Sequence, residues 1–485
     1  MSGKSDFVDY EPLRRPRRPD ERESEDFPSP KADAFPSELE SRFSQSGETE
    51  VVAPSSQQAK ASLNEDRPVV RVQAQRAHWS LKRGHGISFA GLFVFTFLLF
   101  FRPYEYSSSL MWLSRSALVT AIITLAVFIP TQLGLENQLT VRTREINLVL
   151  VLLVLALLSV PLAADKLQAW NGFVEFVKVV AMFVVFVNVV RTQRRLSAML
   201  FLVLLATVVL SVAAINDYRM GELLWGGKRI GGVIGNLFDN PNDLALHLVT
   251  ILPIVVGLAL GTRYLSAKLV YFLVAVTVVG ATIVTFSRGG FLGLVAVGAS
   301  LAWRLGKQNR TLVVLFASVL IVAFLVFSPG AYRQRITTFG DDSAGARTGE
   351  LKRSIFLTLT HPIFGVGMDN FVIYSNTEHA THNAYTQVAS ELGIPATVVY
   401  VLFLIAAIKR VRRIAEREGA EQNQRLRYLA VGLEASLVGY ALVSFFASVA
   451  FLWYVYYLVG YVICVSRLNG DMVAVEAKND ASIHA

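Results

Sequence analysis

From Trp79 onward, long apolar runs alternate with short polar breaks, and the runs have the length of a bilayer crossing. A hydrocarbon core of about 30 Å needs about 20 apolar residues in helical form. Such runs fall near residues 86–101, 110–130, 146–163, 171–190, 196–215, 243–261, 264–286, 289–304, 311–328, 386–408, 428–447 and 449–466. The pattern predicts an all-α polytopic membrane protein with about 12 transmembrane helices. Residues 1–83 show no such period. Pro, Ser, Glu and Arg dominate there (RRPRRPDERESEDFPSPK), which predicts a disordered cytoplasmic tail. No apolar run follows the start, so no cleaved leader is expected. Residues 84–468 form the membrane domain, and 469–485 a second, short cytoplasmic tail.

Charge then orients the bundle. With the N-terminus inside, the inner loops hold Arg142 and Arg144, Arg191, Arg194 and Arg195, Arg263 and Lys268, and Arg304, Lys307 and Arg310. The loop at 409–427 (KRVRRIAEREGAEQNQRLR) adds seven more cations, while the short outer loops hold little. Lys and Arg concentrate in cytoplasmic loops, so both termini are expected inside.

Composition excludes several classes. The 485 residues are 53% hydrophobic and 17% charged, with a mean hydropathy of +0.46. Ordinary soluble domains carry about 25% charged residues. Residues 1–83 hold 14 basic and 15 acidic side chains, leaving 32 and 22 for the other 402 residues. The net charge of +9 therefore belongs to the apolar part. Its cations punctuate hydrophobic runs and form no soluble basic module, which argues against nucleic acid as a partner. A single cysteine, Cys464, excludes an internal disulfide and a thiolate metal cage.

Two outer segments are long, 216–242 and 329–385, and long loops in a compact protein are commonly functional. In the second, AGARTGELKRSIFLTLTHP places Leu351, Ile355, Phe356 and Leu359 at helical spacing before Pro362. This predicts an amphipathic helix lying on the membrane face. Both segments hold cations on the side that the charge rule leaves poor: Arg219, Lys228 and Arg229 in the first, and Arg333, Arg335, Arg347, Lys352 and Arg353 in the second. Arg288, in TFSRGG, stands at the outer end of the seventh span. An arginine within the membrane costs about 2.5–3.5 kcal/mol at its centre and marks a candidate site, although a snorkelling side chain is the plainer reading. Gly289 and Gly290 would let backbone or ligand approach it closely.

A guanidinium fork matches phosphate oxygens two at a time and stays charged, so converging outer arginines suggest an anionic headgroup such as a lipid phosphate or diphosphate. The acids Asp341, Asp342, Glu350, Asp369 and Glu378 leave salt-bridging of Arg333 and Arg335 equally open. In GNLFDNPNDLALHL, Asn242 or Asp243 can cap the sixth span, and the helix N-terminus then suits an anion. His247 lies inside that span and is expected to pack or hydrogen-bond there. His361, His379 and His382 crowd the end of the large loop, and His382 and Asn383 fall where the tenth span begins. A neutral imidazole with a pKa of about 6.5 can take a proton from a hydroxyl. His379 and His382 are spaced like a zinc pair but lack a third ligand, so no metal is expected.

These pieces, in order, resemble the O-antigen ligase and polymerase superfamily of membrane glycosyltransferases. They are KRIGGVIGNLFDNPNDLA, TFSRGG, HPIFGVGMDNF and THNAYTQVASELGIP, over about residues 220–405. The last holds the family's His, ten residues, then Gly, here His382 and Gly393. The resemblance implies transfer of a glycan from an undecaprenyl-diphosphate carrier to an acceptor hydroxyl on the periplasmic face of a bacterial inner membrane. The acceptor would be a glycan or a lipid A-core, and polysaccharide assembly proteins would be further partners. By motif, His382 would be the general base, and Arg229 and Arg288 would hold the diphosphate. Arg347, Asn242, Lys228, Arg219 and Asn383 would bind substrate. Inversion without a metal or cofactor is implied. Ligase and polymerase share this chemistry and differ in acceptor. A twelve-span transporter or lipid-glycan flippase is the rival reading, although few charges lie mid-span and the two halves show no repeat.

Overall fold

A computed structural model describes residues 84–106, 108–221, 230–232, 238, 240–305, 311, 318, 342–375, 380–416 and 424–483, with the side chains of 106, 108, 342–344, 346 and 471–483 left aside. All of them belong to the unit that begins at Val72. The tail 1–83, nearly all of the ninth expected span, Lys228, Arg229, Arg333, Arg335 and His379 lie outside the described residues. Among those described, every regular element is helical. The chain is an all-α, multi-pass membrane protein.

Its longer helices are α1 Gly86–Phe101, α2 Ser116–Glu136, α3 Arg144–Ser159, α4 Lys166–Val189, α5 Gln193–Met220 and α6 Pro241–Gly261. There follow α7 Leu265–Val284, α8 Arg288–Leu305, α9 Asp342–Thr360, α10 Ala384–Glu416, α11 Gln424–Val443 and α12 Trp453–Ile483. Among the described residues nine helices are long and apolar enough to cross a membrane: α1 to α7, α10 and α11. Two further expected spans, 289–304 and 449–466, fall on α8 and α12. α8 carries an arginine near each end, and α12 is rich in tyrosine. Burial of Val455, Tyr456, Val459, Val462, Ile463 and Val465 surrounds α12 with protein, so it has less need of a lipid-like exterior.

Helix starts follow local capping. Asp165 Oδ1 accepts from the Leu167 and Gln168 N–H groups, both at 2.9 Å, so α4 begins five residues before the hydrophobic run suggests. Thr143 and Thr192 cap α3 and α5 in the same way. A 3₁₀ turn over Ser108–Arg115 delays α2. α12 continues to Ile483, so the segment expected as a short tail is helical. The most extensive helix pair is α6 with α11. A Cβ on Gly257 would lie 2.5 Å from the Tyr428 carbonyl oxygen, and one on Gly432 2.4 Å from that of Pro253. Small residues let these backbones touch, as membrane helices require when no hydrophobic force drives them together.

The contacts at the helix ends give the bundle two faces. One carries the turn before Arg288 and the start of α10. The opposite face gathers ion pairs: Glu145, buried, accepts both Arg410 Nε and Nη2 at 2.7 Å. Arg304 Nη2 meets Glu434 at 2.7 Å and Arg412 Nε meets it at 2.9 Å, with Glu416 3.1 Å from Arg304. Arg191 pairs with Glu136.

His85 opens α1 on that opposite face, left-handed at φ 62° and 3% exposed, its ring 5.6 Å from that of Phe128. Burial, with a smaller contribution from the Arg191 guanidinium, lowers its pKa from 6.5 to about 4. In the unfolded chain the imidazole takes its proton near 6.5, whereas in the folded one it resists until about 4. The unfolded state binds more protons across that window. Stability should therefore fall as pH drops from 6.5 to about 4, then level off. The expected loss is up to about 3 kcal/mol. Thermal unfolding of the detergent-solubilised protein between these pH values should show a slope that His85→Gln flattens.

Candidate functional site

Arg288 is the first residue of α8, half-buried, at the tight turn from α7. Phe286 in this turn is left-handed, φ 52°. Ser287 ties the turn down: its hydroxyl donates to Asn242 Oδ1 at 2.9 Å and accepts from the Gly290 N–H at 3.2 Å. Asn242, buried at the start of α6, thus positions the Arg288 turn. The cap of α6 is Asn240, whose Oδ1 accepts from the Asn242 N–H at 2.9 Å, followed by Pro241 at the first helical position. This replaces the expectation that Asn242 or Asp243 caps the helix. The glycines after Arg288 serve helix contact. A Cβ on Gly289 would sit 2.9 Å from Phe446 Cβ, and one on Gly290 2.8 Å from Ala245 Cβ.

His382 precedes α10 at φ 52°, half-buried. Its neighbours fix the turn. Thr381 Oγ1 donates to the Asn383 carbonyl at 2.9 Å and lies 3.0 Å from Ser448 Oγ. Asn383 Oδ1 accepts from the Tyr385 N–H at 2.9 Å and the Thr386 N–H at 3.2 Å, capping α10. The Tyr385 hydroxyl donates to the Ala441 carbonyl at 2.8 Å. Gly289 therefore leans on Phe446 and Thr381 on Ser448, two residues apart in the link from α11 to α12. The Arg288 turn and the His382 turn flank this one connector.

The stretch HPIFGVGMDN forms a loop that docks into a kink of α10 at Gly393, φ 86° and ψ 175°. Pro395 has no N–H to donate to the Glu391 carbonyl, and the kink turns the Ile394 N–H away from that of Ser390. The loop meets all three groups. Val366 N–H donates to Ser390 O at 2.8 Å, Gly367 N–H to Glu391 O at 3.0 Å, and Ile394 N–H to Pro362 O at 2.8 Å. The Asp369 N–H donates to buried Glu391 Oε2 at 3.1 Å. On the other side Asn370 Oδ1 accepts from the Asp165 N–H at 2.8 Å, and Gln168 Nε2 donates to the Asp369 carbonyl at 2.7 Å. The loop thus locks α10 to the start of α4.

Residues 273–401 match the family model described as O-antigen ligase. This stretch holds Arg288, the docking loop, His382 and Gly393. No curated protein matches the chain. The matched stretch begins within α7 and ends within α10, so Asn242 and Arg219 lie before it and the 444–448 connector after it.

Of the expected site residues, the fold brings together Arg288, Asn242, His382 and Asn383 around the connector. Asn383 commits its carboxamide oxygen to the cap of α10. Arg219 is exposed in the last turn of α5. Arg347 is half-buried on α9, one turn before buried Glu350, which accepts from Ser375 Oγ at 2.9 Å. Arg353 is bound to the Tyr374 carbonyl at 2.8 Å, a structural use. α9 is the expected amphipathic helix: it packs on α10 and turns Leu351, Ile355, Phe356 and Leu359 outward, the last 71% exposed. His361 is exposed, its Nδ1 3.0 Å from Thr360 Oγ1. His247 is buried among aromatic rings, Nε2 2.9 Å from Thr207 Oγ1, and is structural. Among the described residues no three His, Cys, Asp or Glu side chains gather as a metal site needs. Sequence reasoning missed Ser287 and Thr381 as anchors. Both stood inside the quoted motifs, beside the residues that drew attention.

Proposed function

We propose that the protein transfers a glycan from an undecaprenyl-diphosphate carrier to an acceptor hydroxyl, as a ligase- or polymerase-type glycosyltransferase. The observation that carries this reading is the convergence of the Arg288 and His382 turns on one connector, with both residues inside the O-antigen ligase stretch. His382 accepts the proton of the acceptor hydroxyl. The freed oxygen attacks the anomeric carbon opposite the diphosphate, the new glycosidic bond forms as the sugar–phosphate bond breaks, and configuration inverts. Undecaprenyl diphosphate leaves with its negative charge met by Arg288 and Arg229, with Arg219, Lys228 and Arg347 adding to the cationic surface. Guanidinium groups supply the positive charge that the leaving diphosphate needs, and the proposed step uses no metal. Asn242 and Asn383 position the site and hold the sugar.

The site faces the periplasm of a bacterial inner membrane, because Arg142, Arg144, Arg191, Arg194, Arg195, Arg263 and Lys268 cluster at the opposite ends of the helices. The outward apolar side of α9 suits a helix resting on that surface. The acceptor distinguishes the two family activities, and mass analysis of undecaprenyl-linked glycans in cells lacking the gene separates them. Long chains stranded on the carrier are expected for a ligase, and single repeat units on the outer face for a polymerase. Single units confined to the inner face would identify a flippase and overturn the proposal, as would unchanged lipid-linked glycans.

A further inference from the structure

The face opposite His382 carries an apolar trough with cations at its mouth. Leu200, Phe201, Leu204 and Val208 of α5 face Val270 and Val274 of α7 across a hollow of about 360 Å³. It shares Leu258, Tyr271 and Arg425 with a second hollow of about 490 Å³, lined also by Arg263 and Tyr264 of the α6–α7 turn. The trough reaches along α5 from Ser197 to Val208, a length of about 16 Å at helical rise. That is about half of a 30 Å hydrocarbon core, the depth of one leaflet. Its walls continue into lipid-facing side chains, with Phe201 64%, Val270 57% and Leu269 58% exposed.

The mouth adds cations to this apolar channel. Arg304, Arg410 and Arg412 all have carboxylate partners. Among the described residues, Arg263 and Arg425, like Arg142, Arg144, Arg194 and Arg413, have neither an ion pair nor a hydrogen bond and are exposed, and these two are the ones that line the hollow. Gly261 lets Arg425 pack close beside the α6–α7 turn, since a Cβ there would lie 3.3 Å from Arg425 Cγ. Two arginines and two tyrosines thus stand where a leaflet's headgroups lie, above a channel one acyl chain deep.

We propose that this trough binds an anionic phospholipid of the leaflet opposite the catalytic face, one acyl chain between α5 and α7 and the phosphate between Arg263 and Arg425. The charge complementarity and the one-leaflet depth select a lipid over a peptide or a free anion. The site is separate from the glycan-transfer reading and stands or falls without it.

Native mass spectrometry of the full-length protein in detergent tests this, titrating phosphatidylglycerol, phosphatidylethanolamine and inorganic phosphate in turn. Phosphatidylglycerol should be retained most tightly, and Arg263→Ala/Arg425→Ala should weaken it by roughly thirtyfold, about 1 kcal/mol for each surface cation. Leu204→Trp, which fills the trough and leaves both arginines, should weaken it as well. Equal retention of phosphatidylglycerol by either variant would overturn the proposal. So would inorganic phosphate displacing the lipid at equal concentration, since the tail would then contribute nothing. A dimer that Leu204→Trp dissociates would mean that a second copy fills the trough, which also overturns it.

Discussion

Replacing His382 by alanine or asparagine should lower glycan transfer by at least about a hundredfold, the usual contribution of a positioned general base. The asparagine variant is the sharper test. His382 is left-handed at φ 52°, a conformation asparagine tolerates better than other non-glycine residues. The anchors of the turn lie on its neighbours, Thr381 with Ser448 and Asn383 with the first turn of α10. The fold should therefore survive, read as unchanged membrane insertion and thermal unfolding, while product disappears. Arg288→Ala should abolish product separately. Arg288→Lys should recover only part of it, because an ammonium keeps the charge and loses the two-pronged fit to phosphate. Full activity in a well-expressed His382→Asn protein would remove His382 from the chemistry.

The largest effect on stability is expected at Gly393. Its backbone lies in a region that essentially only glycine enters, and a Cβ would lie 2.4 Å from the Ile363 carbonyl oxygen. Such a conformation costs of order 1–3 kcal/mol in any other residue, and the clash with backbone adds to that. Gly393→Ala should therefore destabilise the protein by roughly 3 kcal/mol or more and expel the docking loop from the kink. Gly365→Ala should behave alike, since φ is 65° and a Cβ would lie 2.3 Å from the Glu391 carbonyl carbon. Gly349, on α9 with open space around it, supplies the control. Alanine there should be neutral or stabilise by about 1 kcal/mol through helix propensity. Thermal unfolding of the three variants in one detergent measures the contrast. If Gly393→Ala melts with the unaltered protein, the kink does not hold the loop.

The spacing from His382 to Gly393 was legible as a motif, yet its meaning was not. The fold gives the two residues different work. His382 stands at the connector, whereas Gly393, three helical turns on, admits a loop that satisfies the carbonyls freed by the kink and by Pro395. Gly289 and Gly290 tell the same story. Next to a boundary arginine they suggested close approach of backbone or ligand, and the groups that come close are Phe446 and Ala245. A glycine records that something comes close without recording what.

The helical class, the membrane setting, most of the crossings and the amphipathic helix of the large loop were all readable from the chain. These depend on local periodicity and on the length of apolar runs, which the bilayer converts directly into structure. The chain also singled out Arg288 and His382 through short motifs. That their turns meet at residues 444–448, that Asn242 acts through Ser287, and that α12 is an inner helix became visible only in the packed bundle. It alone placed Arg263 and Arg425 at one mouth. Each of these joins residues far apart in the chain, and such contacts are set by how closely helices pack, a quantity no local pattern encodes.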